Sequence, residues 1–132
     1  MSLSSSSYDN GDDIRERTFE FACSVVQFCD KLYEQGGIGR VMAPQLVRCS
    51  TSSAGMMEEA RAAESPRDFV SKCAIGLKEM RESHVRLRIH ERCRIGPPKD
   101  VAKLRAEADE LVAIMMTIVR NTRHRLERQR ES

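Results

Sequence analysis

A chain of 132 residues suits one domain around one core. Its formal net charge is only +2, with 22 Lys and Arg against 20 Asp and Glu, so a nucleic-acid role must rest on where charge sits rather than on its total. With no Trp, two Tyr and four Phe, the core must come from Leu, Ile, Val, Met, Ala and Cys. Charged residues make up 32%, strand-like alternating runs are absent, and long aliphatic residues with Arg, Glu and Lys favour helix.

The five cysteines, Cys23, Cys29, Cys49, Cys73 and Cys93, are odd in number and contain no CxxC pair. Each falls within a helical pattern, mostly on its apolar face, which fits small buried hydrophobes in a reducing cytosol rather than a disulfide framework. The opening MSLSSSSYDNGDD has no apolar segment of the signal-peptide kind, and no apolar run approaches the length of a membrane span. The expectation is a soluble cytoplasmic protein, off the membrane, with residues 1–12 as a disordered tail.

Asp12 or Asp13 can cap a first helix over about Ile14 to Gln35. Phe19, Ala22, Val26, Cys29 and Tyr33 form one apolar stripe, and Phe21, Val25, Phe28 and Leu32 form a second beside it. Together they are wider than one bundle core needs. They read as one broad core face or, the reading preferred, as a core plus a subunit interface. Gly36-Gly37-Ile38-Gly39 ends the helix.

A second helix spans about Arg40 to Ala63, with Pro44 tolerated near its first turn. Ser65-Pro66-Arg67-Asp68 then supplies an N-cap, a first-position Pro and an acid in the first turn. The third helix runs to about Arg94 with the stripe Val70, Cys73, Leu77, Met80, His84 and Leu87. Gly96-Pro97-Pro98 breaks the chain. The fourth helix carries Val101, Leu104, Ala108, Leu111, Met115 and Ile118 and frays into RHRLERQRES. Residues 13–126 thus form an all-α, up-down-up-down antiparallel four-helix bundle, followed by a charged tail at 127–132. Antiparallel register places Arg48 level with Glu82, Glu59 with Lys72, Arg86 with Glu107, and Phe19 and Phe21 with Ser53, Ala54 and Gly55.

At QLVR…S……E…S…F, carried by Gln45, Leu46, Arg48, Ser52, Glu59, Ser65 and Phe69, the chain resembles the bacterial four-helix-bundle family found in intervening sequences of large-subunit ribosomal RNA genes. ERTFEFA (Glu16 to Ala22), LKEMRES (Leu77 to Ser83) and EADELVAI (Glu107 to Ile114) extend the resemblance over about residues 14 to 120. Met56 and Arg86 depart from it, standing where that family has Asn and Trp. The resemblance implies a bundle assembling as a ring-like homopentamer. A related branch, the accessory variability protein of diversity-generating retroelements, binds nucleic acid and partners a reverse transcriptase. The resemblance extends those partner classes, RNA or DNA and a reverse transcriptase, to this chain as expectations.

Catalytic chemistry finds little support in the residues. No Glu lies three positions before His84, His90 or His124, so the di-iron pattern of helical bundles is missing. His90 and Cys93 share a helix face, but a zinc site needs further ligands at suitable spacing. His84 reads as a residue at the core edge and His90 as a surface residue. Ser50, Thr51, Ser52 and Ser53 have no partner placed by sequence to activate a hydroxyl. The expectation is no enzyme, no cofactor and no metal.

Gln45, Ser52 and Glu59 lie near one stripe with Arg48 adjoining. They read either as a solvated face or as a buried or interfacial polar network joined to Lys72 and Glu82. The bundle end holding the glycine loop and the Gly96-Pro97-Pro98 turn collects Arg40, Arg86, Arg88, Arg92, Arg94, Lys99, Lys103 and Arg105, against Asp30, Glu34, Glu91, Asp100 and Glu107. On the residues alone this is solubilising charge with intrahelical pairs. Joined to the resemblance, Arg86, Arg88, Arg92, Arg94, Lys99 and Lys103 become phosphate contacts in a salt-dependent, largely sequence-blind interface. The expected function is a non-enzymatic, oligomeric, nucleic-acid-associated assembly factor; the alternative is an adaptor bundle that binds only protein.

Overall fold

The computed structural model describes the backbone of residues 10–131 and the side chains of residues 14–131. Four helices follow one another: α1 (Asn10–Gln35), α2 (Gly39–Arg61), α3 (Pro66–Cys93) and α4 (Pro98–Glu131). Most of the tail expected over residues 1–12 lies outside the described residues, but α1 already includes Asn10. At the other end, residues 127–131 continue α4 as helix.

Each connection has a local cause. Gly36 and Gly37 take φ of +81° and +63°, the left-handed region that a side chain disfavours, and so reverse the chain after α1. A Cβ at Gly39 would lie 2.9 Å from the Leu32 carbonyl oxygen, so α2 begins packed against the end of α1. At the next corner the Asp68 amide donates to Ser65 Oγ at 3.0 Å, and Pro66 fills the first helical position. Arg94 closes α3 in the left-handed region, with the Ile95 amide donating to the His90 carbonyl at 2.9 Å.

Consecutive helices pack along their lengths, and α4 closes the bundle against α1. Antiparallel register is visible in the rungs between them. Arg15 meets Glu58 near one end of the first pair, and Arg40 lies over the Tyr33 ring at the other. The second pair is joined by Ser53 to Gly76 and by Arg48 to Glu82. His84 meets Asp109 and Glu91 meets Arg105 across the third.

The core is a single column of mostly aliphatic, Met and Cys side chains, with Phe21 and Phe28 among them. Val25, Leu46, Met80, Leu87, Leu111 and Met115 are fully buried within it. Burying each Leu or Met contributes about 1.5–3 kcal/mol. The wide apolar face of α1 divides in two. Phe21, Ala22, Val25, Phe28, Cys29 and Leu32 are buried, whereas Phe19, Val26 and Tyr33 stay 53%, 42% and 47% exposed. Phe21 is buried and faces α4, while Phe19 remains outside the core.

Small polar residues line the contact between α2 and α3. Ser53 Oγ donates to the Gly76 carbonyl at 2.8 Å, and the Ser50 and Ser83 hydroxyls lie 3.0 Å apart. Ser83 also approaches Cys49 Sγ at 3.1 Å. Short side chains allow the helices to come close, and their hydrogen bonds satisfy the hydroxyls this buries.

Candidate interaction surface

The outer seam between α2 and α3 is built as a ladder. Arg48 Nη2 donates to Glu82 Oε2 at 2.8 Å, and Arg86 Nε donates to that oxygen at 3.2 Å. One turn further along, Arg86 Nη2 donates to Gln45 Oε1 at 3.0 Å. Helical spacing continues the same line to Val41 on α2 and Ile89 on α3. Those two side chains, with neighbouring Ile38 and Val85, are exposed. Sequence reasoning left these four aliphatic residues unassigned. Their signal was present: Val41 and Ile89 extend the lines through Gln45, Arg48 and Glu82, Arg86 by one step.

The expected polar series is therefore only partly one network. Gln45, Arg48, Glu82 and Arg86 come together. Lys72 instead pairs with Asp68 at 2.7 Å, because a partner four residues away on its own helix lies closer to hand than one across the corner. The Asp68 hydrogen bond is the main cause raising the Lys72 pKa, and Glu59 adds only a through-space contribution. Ser52 is half-buried and Glu59 exposed, both outside the ladder's hydrogen bonds. The expected facing of Arg86 and Glu107 is also replaced. Arg86 turns to α2, and Glu107 is taken by Arg17 of α1 at 2.7 and 3.1 Å.

At the bundle end beyond the ladder, Arg88, Arg92, Arg94, Lys99 and Lys103 are all exposed. Among the described residues none of the five side chains has a hydrogen-bonding or ionic partner. Arg86 is the exception within the expected phosphate-contact set, since Glu82 and Gln45 already hold it. Nearby Arg105 is drawn toward Glu91 at 3.6 Å, and Arg40 packs 5.1 Å from the centre of the Tyr33 ring.

His90, expected at the surface, is fully buried. Gly76, Ser83 and His90 recur every seven residues, so His90 continues the small polar stripe into the core. Its Nδ1 lies 2.9 Å from the Ile95 carbonyl, and its ring meets Phe28 edge-on at 5.8 Å. Burial lowers its pKa from the ordinary 6.5, and nearby Arg86 acts in the same direction. His84 lies at the core edge as expected, 2.8 Å from Asp109. Among the described residues no three His, Cys, Asp or Glu side chains gather as metal ligands would.

Burial also governs the thiols. It pushes Cys29 up to about 12, with Cys49 nearby adding to the effect, and Cys73 up to about 11. Cys49 is raised as well, chiefly by burial. These thiols stay protonated near neutral pH and behave as core hydrophobes rather than nucleophiles. A groove of about 590 Å³ runs between α1 and α4, where those helices pack less extensively than the other neighbours. Phe21, Phe28, Leu32 and Leu104 line it, with Lys31, Lys103 and Glu107 among its charged residues.

Fold and surface together define an all-helical bundle protein whose distinctive features are exposed aliphatic stripes and a basic pole. No helix among the described residues is long and apolar enough to cross a membrane. The chain belongs to the 23S rRNA-intervening sequence protein family, whose model matches residues 12–117. Among solved structures it is similar to a protein of unknown function from the S23 ribosomal protein family of Bacteroides thetaiotaomicron. That likeness has a TM-score of 0.75 at 24% identity and covers 83% of this chain and 97% of the other, which establishes the shared fold. No curated protein matches the sequence.

Proposed function

We propose that the protein is a non-enzymatic scaffold of the cytoplasm that assembles with copies of itself into a ring-like homo-oligomer and binds nucleic-acid phosphates through its basic pole. The observation that carries the binding reading is the set of exposed, unpartnered cations around the α3–α4 corner: Arg88, Arg92, Arg94, Lys99 and Lys103. Cations without an internal partner are free to exchange counterions for phosphate, which makes binding salt-dependent and indifferent to sequence. Repetition of the pole around a ring multiplies weak contacts into useful avidity.

Titrating plain RNA and duplex DNA against salt tests this reading. A steep loss of binding with rising salt is expected, whereas no binding even at low salt overturns it. The second reading is a bundle that serves only protein contacts, with a reverse transcriptase as one partner class. It is favoured by the exposed Phe19, Val26 and Tyr33 on α1, since apolar side chains contribute little to phosphate binding.

A further inference from the structure

The outward faces of α1 and α3 carry opposite charge, and each also exposes large apolar side chains. On α1, Asp30 and Glu34 lie beside exposed Val26 and Tyr33. On α3, Arg88 and Arg92 lie beside exposed Val85 and Ile89. None of the four charged groups has a partner among the described residues. Charges left free beside exposed apolar surface are the makings of an interface that another chain completes.

The rungs of the bundle set the heights of these residues. Tyr33 is level with Arg40, Gln45 with Arg86, and Arg48 with Glu82. Carried across α2, these rungs put Asp30 at the height of Arg88 and Glu34 at the height of Arg92, each to within about one residue, ~1.5 Å of helix rise. The same reckoning sets Tyr33, Phe19 and Val26 within about two residues, ~3 Å of helix rise, of Ile89, Ile75 and Val85. On both helices the apolar residues lean toward α2. Tyr33 meets Arg40 there, and Ile89 continues the ladder. The charged residues lean toward α4, where Lys31 lines the groove and Glu91 meets Arg105.

We infer that the exposed face of α1 in one copy docks on the exposed face of α3 in the next, with Asp30 against Arg88, Glu34 against Arg92, and Phe19, Val26 and Tyr33 against Ile75, Val85 and Ile89. The inference rests on the assembly reading above and names its contact surfaces. Matching heights place neighbouring copies side by side with no shift along the bundle axis. The contact uses different surfaces on its two sides, so it is head-to-tail rather than two-fold, and it forms rings when the rotation closes. Every basic pole then lies on the same rim. In the assembled ring Arg88 and Arg92 pair with the neighbouring subunit, so the phosphate-binding set of five cations narrows to Arg94, Lys99 and Lys103.

The test is the mass of the full chain in solution, by light scattering or sedimentation, with helicity followed by circular dichroism. Asp30→Arg with Glu34→Arg is expected to dissociate the assembly while leaving the helices folded. Arg88→Glu with Arg92→Glu is expected to do the same. Combining all four substitutions restores opposite charge across the contact and is expected to recover the wild-type mass. If the wild type is itself a monomer, the assembly reading falls and this contact with it. If the wild type is an oligomer whose mass neither reversal changes, or the fourfold variant stays dissociated, this contact alone is wrong.

Discussion

Arg17 of α1 grips Glu107 of α4 with two hydrogen bonds, Nη2 to Oε1 at 2.7 Å and Nε to Oε2 at 3.1 Å. Glu110 adds a third contact at 2.9 Å. Glu107 and Glu110 hold the guanidinium firmly in its charged form, raising its pKa. This fork lies across the least extensively packed neighbouring helix pair, beside the groove. Its bidentate geometry makes it stronger than an ordinary surface pair, but partial exposure limits its worth to ~1 kcal/mol. Arg17→Ala is therefore expected to lower the melting temperature by ~3–5 °C. Thermal unfolding should show the difference shrinking at high salt, as screening weakens the wild-type pair.

Two glycines respond to alanine with opposite sign. At Gly96, φ is +101° and an added Cβ would lie 2.6 Å from Phe28 Cζ, so both backbone and space resist the methyl. Gly96→Ala is expected to destabilise by ~2 kcal/mol or more. Gly55 lies inside α2 with nothing within 4 Å of an added Cβ. Gly55→Ala is expected to stabilise by ~0.5–1 kcal/mol through helix propensity. Urea midpoints of the two variants give the comparison.

Arg94 separates stability from binding. Its φ of 58° is a left-handed conformation that a side chain strains and glycine adopts freely. Arg94→Gly is expected to raise stability by ~1 kcal/mol. The same change removes a cation from the basic pole and is expected to weaken RNA binding at low salt. Chemical denaturation and a binding isotherm on the same sample read the two effects.

His90 makes the fold sensitive to mild acid. Burial lowers its pKa in the folded chain below the ordinary 6.5, so the unfolded chain takes up the proton first. Stability from this group is complete above that ordinary value and is lost as pH falls from there toward the folded value. His90→Leu is expected to flatten the decline in urea midpoint as pH falls below 6.5, even if the variant is less stable at pH 7. An unchanged decline would assign the acid sensitivity to other groups.

The helices were legible because their causes are local. Ser65-Pro66-Arg67-Asp68 announced α3, and Gly96-Pro97-Pro98 announced the last corner. The single-core pattern and short connections specified the bundle, and antiparallel register led from Arg48 to Glu82. That pair was readable because both residues lie on adjacent helices joined by one tight corner.

Other partners were hidden by competition in space. Lys72 could reach Glu59 by register, but Asp68 lies on its own helix at 2.7 Å. Glu107 could face Arg86, but α1 brings Arg17 to it once the bundle closes. The pairing of α1 with α4 joins the ends of the chain, and no corner registers it in sequence. His90 likewise reads as a surface residue along its own helix, but Phe28 of α1 and the Ile95 carbonyl enclose it once the bundle forms.

By itself the sequence determined the number of helices, their order and where each turns, since caps, breakers and apolar spacing act within a few residues. The tertiary structure alone decided which cations are already occupied and which apolar residues remain outside the core. Those outcomes depend on distances between helices, and sequence spacing along one helix does not contain them.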